Sequence, residues 1–121
     1  LTHARQDFGK TGEDLATAEL GRRGYAILAR RYRTRYGEID IVARDGATLV
    51  FVEVKARASA DRGTALDAIT PQKRRKLTMM AADYLARNAL EEVACRFDVV
   101  AIDGAEGEMR IVIYTDAFGA L

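Results

Sequence analysis

Two runs of alternating apolar and polar residues, Glu38–Arg44 and Leu49–Lys55, flank the dipeptide Asp45-Gly46, and this arrangement constrains the fold more than any other feature. Asp-Gly between such runs is a two-residue hairpin signal, because the favoured turn needs positive φ at its centre. With Asp45 and Gly46 as the loop, Arg44 faces Ala47, Asp40 faces Phe51 and Glu38 faces Glu53. Residues opposite each other in a ladder share a face. One face then carries Glu38, Asp40, Val42, Phe51, Glu53 and Lys55. The other carries Ile39, Ile41, Ala43, Val50, Val52 and Val54 and is wholly apolar. A one-residue slip would mix the two sets, so burial specifies the parity. Asp40 falls diagonal to Glu53, within reach of a shared ligand.

The elements around the hairpin follow from periodicity. Gly9, Gly12, Glu13, Ala16 and Leu20 form one stripe of a helix expected from about Arg5 to Arg23, and Gly24 ends it. A strand over Tyr25–Arg30 leads into the basic segment Arg30–Arg35. A loop holding Ser59, Asp61 and Gly63 precedes a second helix near 71–89, with Thr70 as N-cap and Pro71 at its first position. Its core face is Leu77, Met80, Ala81, Tyr84 and Leu85. Strands over Arg96–Ile102 and Met109–Tyr114 close the chain, with turn residues at Asp103-Gly104 and Glu106-Gly107. Cys95 is expected in core packing, and Asp98 is expected to pair with a basic neighbour. The order α-β-β-β-α-β-β predicts an α/β fold, a mixed sheet flanked by helices, as one domain over 1–121.

Composition narrows the function classes. The 121 residues are 49% hydrophobic, enough for a core, yet no long uncharged apolar run suits a membrane span. One cysteine excludes an internal disulfide and a thiolate zinc cage; the expected setting is cytoplasmic. Net charge is +1, but residues 1–76 hold 16 Lys/Arg against 10 Asp/Glu, and residues 77–121 hold 3 against 8. A basic front half suits a phosphate backbone, although scattered surface charge would look the same.

Two carboxylates sharing one face resist joint ionisation, and a divalent cation relieves that cost. All-oxygen ligands favour Mg²⁺ or Mn²⁺. Such an ion polarises a phosphoryl oxygen and activates water, and Lys55 on the same face can stabilise the developing charge. Glu53-Val54-Lys55 alone is also a common surface ion pair; Asp40 at the right parity gives it meaning. Glu13, in a stripe of small residues that allows close approach, is a further metal candidate, unless it merely pairs with Arg23. Lys73, in the first turn of the second helix, suits a phosphate, as do Arg57 beyond Lys55 and Arg33 and Arg35 near Tyr32 and Tyr36. A solvated charged edge is the alternative for the arginine segment.

The residues Gly12-Glu13, Gly24-Tyr25, Gly37–Ala43, Val50–Arg57, Thr70–Lys73 and Arg96–Val100 together resemble the bacterial YraN-like family, predicted endonucleases of the restriction-endonuclease-like superfamily. The likeness spans nearly the whole chain. It implies a restriction-endonuclease-like core, distantly similar to archaeal Holliday junction resolvases. It also implies a PD-(D/E)xK site with Asp40, Glu53 and Lys55 as its acids and lysine, and Glu13 as the helix-borne acid. Ile39 stands where the nominal motif has proline. The expectation is a Mg²⁺- or Mn²⁺-dependent endonuclease acting on DNA, branched or structured DNA included. A catalytically silent nucleic-acid-binding module is the alternative, and a third reading is an interaction protein using the acidic C-terminal half. A small domain has little surface for extended DNA, so a homodimer or a protein partner is also expected.

Overall fold

The computed structural model describes residues 2–57, 65–105 and 108–119. Helix α1 covers Thr2–Arg22, and strands β1 (Ala26–Thr34), β2 (Gly37–Asp45) and β3 (Thr48–Arg57) follow. A single 3₁₀ turn at Ala65–Ala68 precedes helix α2 (Pro71–Arg87), and β4 (Cys95–Ala105) and β5 (Glu108–Phe118) complete the order. The five strands form one mixed sheet in the order β1-β2-β3-β4-β5. Only β3 and β4 are parallel, which requires the crossover that α2 supplies. The α-β-β-β-α-β-β order is the one expected from sequence.

Each sheet face is covered by one helix. Leu77, Met80, Ala81 and Tyr84 of α2 pack on Val42, Phe51, Val99 and Phe97. Ala16 and Leu20 of α1 pack on Ile41, Ala43, Val50, Val52, Val100 and Ile102 on the other side. Side chains as fully buried as Phe51 and Leu20 each contribute about 1.5–3 kcal/mol by leaving water. The α1 stripe works through its small residues. A Cβ built on Gly12 would lie 2.9 Å from the Ala56 Cβ, so helix and strand approach as closely as atoms allow. Gly24 then ends α1 at φ +91°, a conformation that suits glycine. Thr70 caps α2 by accepting from the Lys73 N–H at 3.2 Å, and Pro71 opens it.

Several boundaries differ from the sequence reading. Strand β1 absorbs most of the basic segment, because an edge strand tolerates alternating arginines that an interior strand would not. Asp103-Gly104 is strand rather than turn, paired with Arg110 and Met109. The loop residues Ser59, Asp61 and Gly63 and the turn pair Glu106-Gly107 lie outside the described residues. Cys95 is exposed rather than packed in the core; it opens β4, and its thiol donates to the Val93 carbonyl.

The hairpin register is also corrected. Asp45 pairs with Thr48 and Val42 with Phe51, so the loop is Gly46-Ala47. Gly46, at φ +60°, takes the first central position. Asp45 is drawn into the strand by Arg96, whose guanidinium binds its carboxylate at 2.8 Å. This register differs from the expected one by two positions and so preserves parity. Continued along the strands, it puts Asp40 directly across from Glu53 rather than diagonal to it.

Candidate active site

The sheet forks at Asp40 and Glu53. The β2–β3 ladder ends with Ile41 opposite Val52. Beyond it β2 stays with β1 as far as Gly37, and β3 stays with β4 as far as Arg57. Backbone groups in such a fork lose their ladder partners and need others. Asp40 supplies one: its Oδ2 accepts the Val54 N–H at 2.8 Å, bridging the gap with a side chain.

A second irregularity sits beside it. Arg31 adopts φ +52°, left-handed for a non-glycine residue inside a strand. It lies between the pairs Arg30–Ile41 and Tyr32–Ile39, across from Asp40. Here the alternation of β2 breaks. Ile39 joins the α2-side core, whereas Ile41 joins the α1-side core, so the expected placing of Ile39 on Ile41's face is corrected. The turned Arg31 reaches α1 instead, and its Nε binds the Glu13 carboxylate at 3.0 Å.

Glu53 is buried, and Lys73 from α2 binds its Oε1 at 2.9 Å. Asp40 makes no such direct pair among the described residues. Burial pushes its carboxyl up to about 7, and the charge of Glu53 adds to this. Glu13 acts in the same direction, while the Val54 N–H and Lys73 oppose it. The fork therefore gathers carboxylates from β2, β3 and α1, and Lys73 on Glu53 and Arg31 on Glu13 offset their charge in part. Lys55 follows Glu53 by two residues, is half-buried, and forms no ion pair among the described residues.

Among the described residues, no three His, Cys, Asp or Glu side chains converge closely enough to hold a metal ion together. The donor set is thus a carboxylate pair, Asp40 and Glu53, with Glu13 close enough to affect Asp40 but tied to Arg31. A pair suffices for Mg²⁺ or Mn²⁺, which keep several waters and take one or two carboxylates from the protein. The chemistry of the fork fits such an ion, because a cation would relieve the repulsion that raises Asp40.

The basic residues singled out from sequence divide into two groups. Lys73 sits at the fork, beside a concavity of about 200 Å³ lined by Thr70, Gln72, Lys73 and Lys76. Arg57 is half-buried and bound to Asp103 at 3.0 Å. Arg33 is exposed and pairs with Glu38 at 2.7 Å. Arg35 donates to the Tyr36 hydroxyl at 2.7 Å and lies over its ring, 5.0 Å from the centroid. The Arg31–Glu13 tie escaped the sequence reading, in which Arg31 is only part of the basic segment Arg30–Arg35. Its signal, a left-handed backbone, has no mark in an arginine.

A second polar centre occupies the α1 face. Asp98 is fully buried and accepts from the Arg96 Nε at 3.0 Å, the Tyr25 hydroxyl at 3.0 Å and the Asp116 N–H at 2.9 Å. The basic partner expected for Asp98 is Arg96, and Tyr25, Asp45 and Asp116 complete the network. The Asp45 and Asp98 carboxylates share the Arg96 guanidinium, so the network reads as a structural tie. No helix among the described residues is long and apolar enough to cross a membrane.

The profile of the Uncharacterised protein family UPF0102 matches residues 12–102, which include α1 from Gly12, the hairpin, α2 and most of β4. A UPF0102 protein from Prosthecochloris aestuarii is 47% identical over 120 residues, covering 94% of each chain. One from Geobacter sulfurreducens is 50% identical over 118 residues, covering 97% of this chain and 92% of its own. One from Ralstonia pickettii is 50% identical over 115 residues, covering 92% and 89%. The chain therefore belongs to the UPF0102 family, the same YraN-like family that its motifs resemble.

Proposed function

We propose that the protein is a Mg²⁺- or Mn²⁺-dependent endonuclease that hydrolyses phosphodiester bonds of DNA, with branched or structured DNA as the favoured substrate class. The observation that carries this reading is the fork. There the Asp40 carboxyl is raised to about 7 by burial and by Glu53, and Lys55, two residues beyond Glu53 on β3, forms no ion pair among the described residues. Such an arrangement is costly as pure structure and useful as a site for a cation and a phosphate.

In this reading Asp40 and Glu53 hold the ion and Glu13 adds negative charge from α1. The ion, when bound, supplies positive charge to a phosphoryl oxygen and makes water a competent nucleophile. Lys55 then orients that water or stabilises charge on the phosphoryl group. Arg33 and Arg35, with Tyr36 as a stacking surface, hold the backbone, and Lys73 and Arg57 contribute phosphate contacts near the fork. A second copy or a partner protein would extend the small contact surface.

One observation favours a second reading, a nucleic-acid-binding module without turnover. Glu53 and Glu13 are already neutralised by Lys73 and Arg31, so much of the site is satisfied by protein cations alone. Incubation with single-stranded, duplex, flap and four-way-junction DNA in Mg²⁺ or Mn²⁺ separates the two. Cleavage abolished by Asp40→Ala and by Lys55→Ala, with both variants folded, is expected. Cleavage undiminished in both would remove the assigned site, and metal-independent binding without cleavage would favour the silent module.

A further inference from the structure

We propose that Lys73 is a resident stand-in for the divalent cation: its ammonium competes with the ion for Glu53 and, once displaced, becomes a ligand for the substrate phosphate. The inference rests on the metal-dependent reading above and assigns it a coupling device.

The argument starts from burial. The Glu53 side chain is only 7% exposed, and Lys73 is the cation that binds it, at 2.9 Å from Oε1. A carboxylate so enclosed is costly without a counter-charge, so the metal-free protein needs Lys73 where it is. A cation taking Glu53 as a ligand competes for the same oxygens. Lys73 has somewhere to go. Its side chain is 39% exposed, and it borders the concavity that Thr70, Gln72 and Lys76 also line. Released there, an ammonium next to Lys76 forms a basic pair that has no anion among the described residues, and a phosphate oxygen is the partner such a pair recruits.

Two consequences follow. Metal binding works against the Lys73–Glu53 bond, and nucleic acid that captures the freed lysine restores part of that loss. Metal and DNA should therefore bind cooperatively through this one side chain. In the absence of metal, Lys73 is occupied and contributes little to DNA affinity. The device makes the site accept its ion most readily when a phosphate is present.

The test measures binding rather than turnover. Mn²⁺ affinity is read by electron paramagnetic resonance for wild type, Lys73→Met and Lys76→Met. Affinity for a duplex oligonucleotide is read in EDTA and in Ca²⁺. Lys73→Met should bind Mn²⁺ roughly tenfold more tightly or better, the scale of one lost charge-assisted bond. Lys76→Met, one turn along and outside the ion pair, should change it little. Lys73→Met should match wild type for DNA in EDTA and fall below it in Ca²⁺. Equal Mn²⁺ affinity in wild type and Lys73→Met would overturn the proposal while leaving the metal site standing. So would an equal gain in Lys76→Met, or the same DNA deficit with and without Ca²⁺. Absence of Mn²⁺ binding in every protein would overturn the metal-dependent reading and this inference together. If Lys73→Met does not fold, Lys73→Gln carries the same comparison.

Discussion

Asp40 concentrates the conflict between burial and charge in one side chain. Its carboxyl is pushed from the ordinary 3.8 to about 7, first by burial and then by Glu53. A folded carboxyl raised in this way holds its proton more tightly than the unfolded chain does. Its protonated form is therefore fully accommodated below about pH 4, and stability is lost as the pH rises from there through about 7. The expected outcome is a pH-dependent difference between wild type and Asp40→Asn in chelating buffer. Asparagine can still accept the Val54 N–H but never ionises. The variant's advantage should be small near pH 4, widen towards pH 7 and then level off, with a ceiling of about 4 kcal/mol. Saturating Mn²⁺ competes with protons for the carboxylate, so it should restore wild type at high pH and leave the variant unchanged. Thermal denaturation across the pH series measures both effects, and a difference that stays flat with pH would count against the burial of this charge.

At the scale of elements, the hairpin shows what patterning reveals and what it conceals. Alternation in Leu49–Val54 specified the parity of β3 and so brought Glu53 to the same side as Phe51. The turn position was not legible, because Asp45 enters the strand under the pull of Arg96, fifty-one residues away in the chain. The fork was not legible either. It depends on where β3 abandons β2 for β4, and on a left-handed Arg31 that no propensity announces. The stripe of small residues in α1 was readable, and its purpose is now specific. Gly12 lets α1 settle on Ala56, one residue past Lys55, which sets the depth of Glu13. Alanine at Gly12 would gain up to about 1 kcal/mol of helix propensity. It would also force two Cβ atoms 2.9 Å apart, and overpacking of that kind costs about 1–3 kcal/mol. Gly21, in the last turn of the same helix, has no neighbour within 4 Å of an added Cβ. Gly12→Ala should therefore destabilise the protein by about 1 kcal/mol, and Gly21→Ala should stabilise it by about 0.5–1 kcal/mol. Urea denaturation of the pair checks the prediction, since equal signs would mean that α1 does not pack so closely on β3.

Across the whole molecule, two acidic centres in one sheet are treated in opposite ways. Among the described residues, no cation is bound directly to Asp40, and its carboxyl is held at about 7. Asp98, on the α1 face, has three donor residues, one of them a bidentate arginine, and with Arg96 it joins Tyr25 before β1, Asp45 at the end of β2 and Asp116 in β5. Asp116 is itself left-handed, at φ +54°, where β5 shifts register against β4. The Asp98 carboxylate thus secures an irregular strand edge as well as an arginine. Arg96→Met should leave a fully buried carboxylate without its cation, a loss of about 3–5 kcal/mol. If that loss comes from the stranded charge, adding Asp98→Asn should recover part of it, because the amide still accepts from Tyr25 or Asp116. A merely mechanical role for Arg96 predicts the reverse, with the double variant weaker than Arg96→Met. Both proteins, where folded, should retain the Mn²⁺ affinity of wild type, since the network lies across the sheet from Glu53 and Lys73. Denaturant titrations beside metal titrations on the same samples separate the two centres, and a metal affinity that falls with Arg96→Met would show that the sheet couples them.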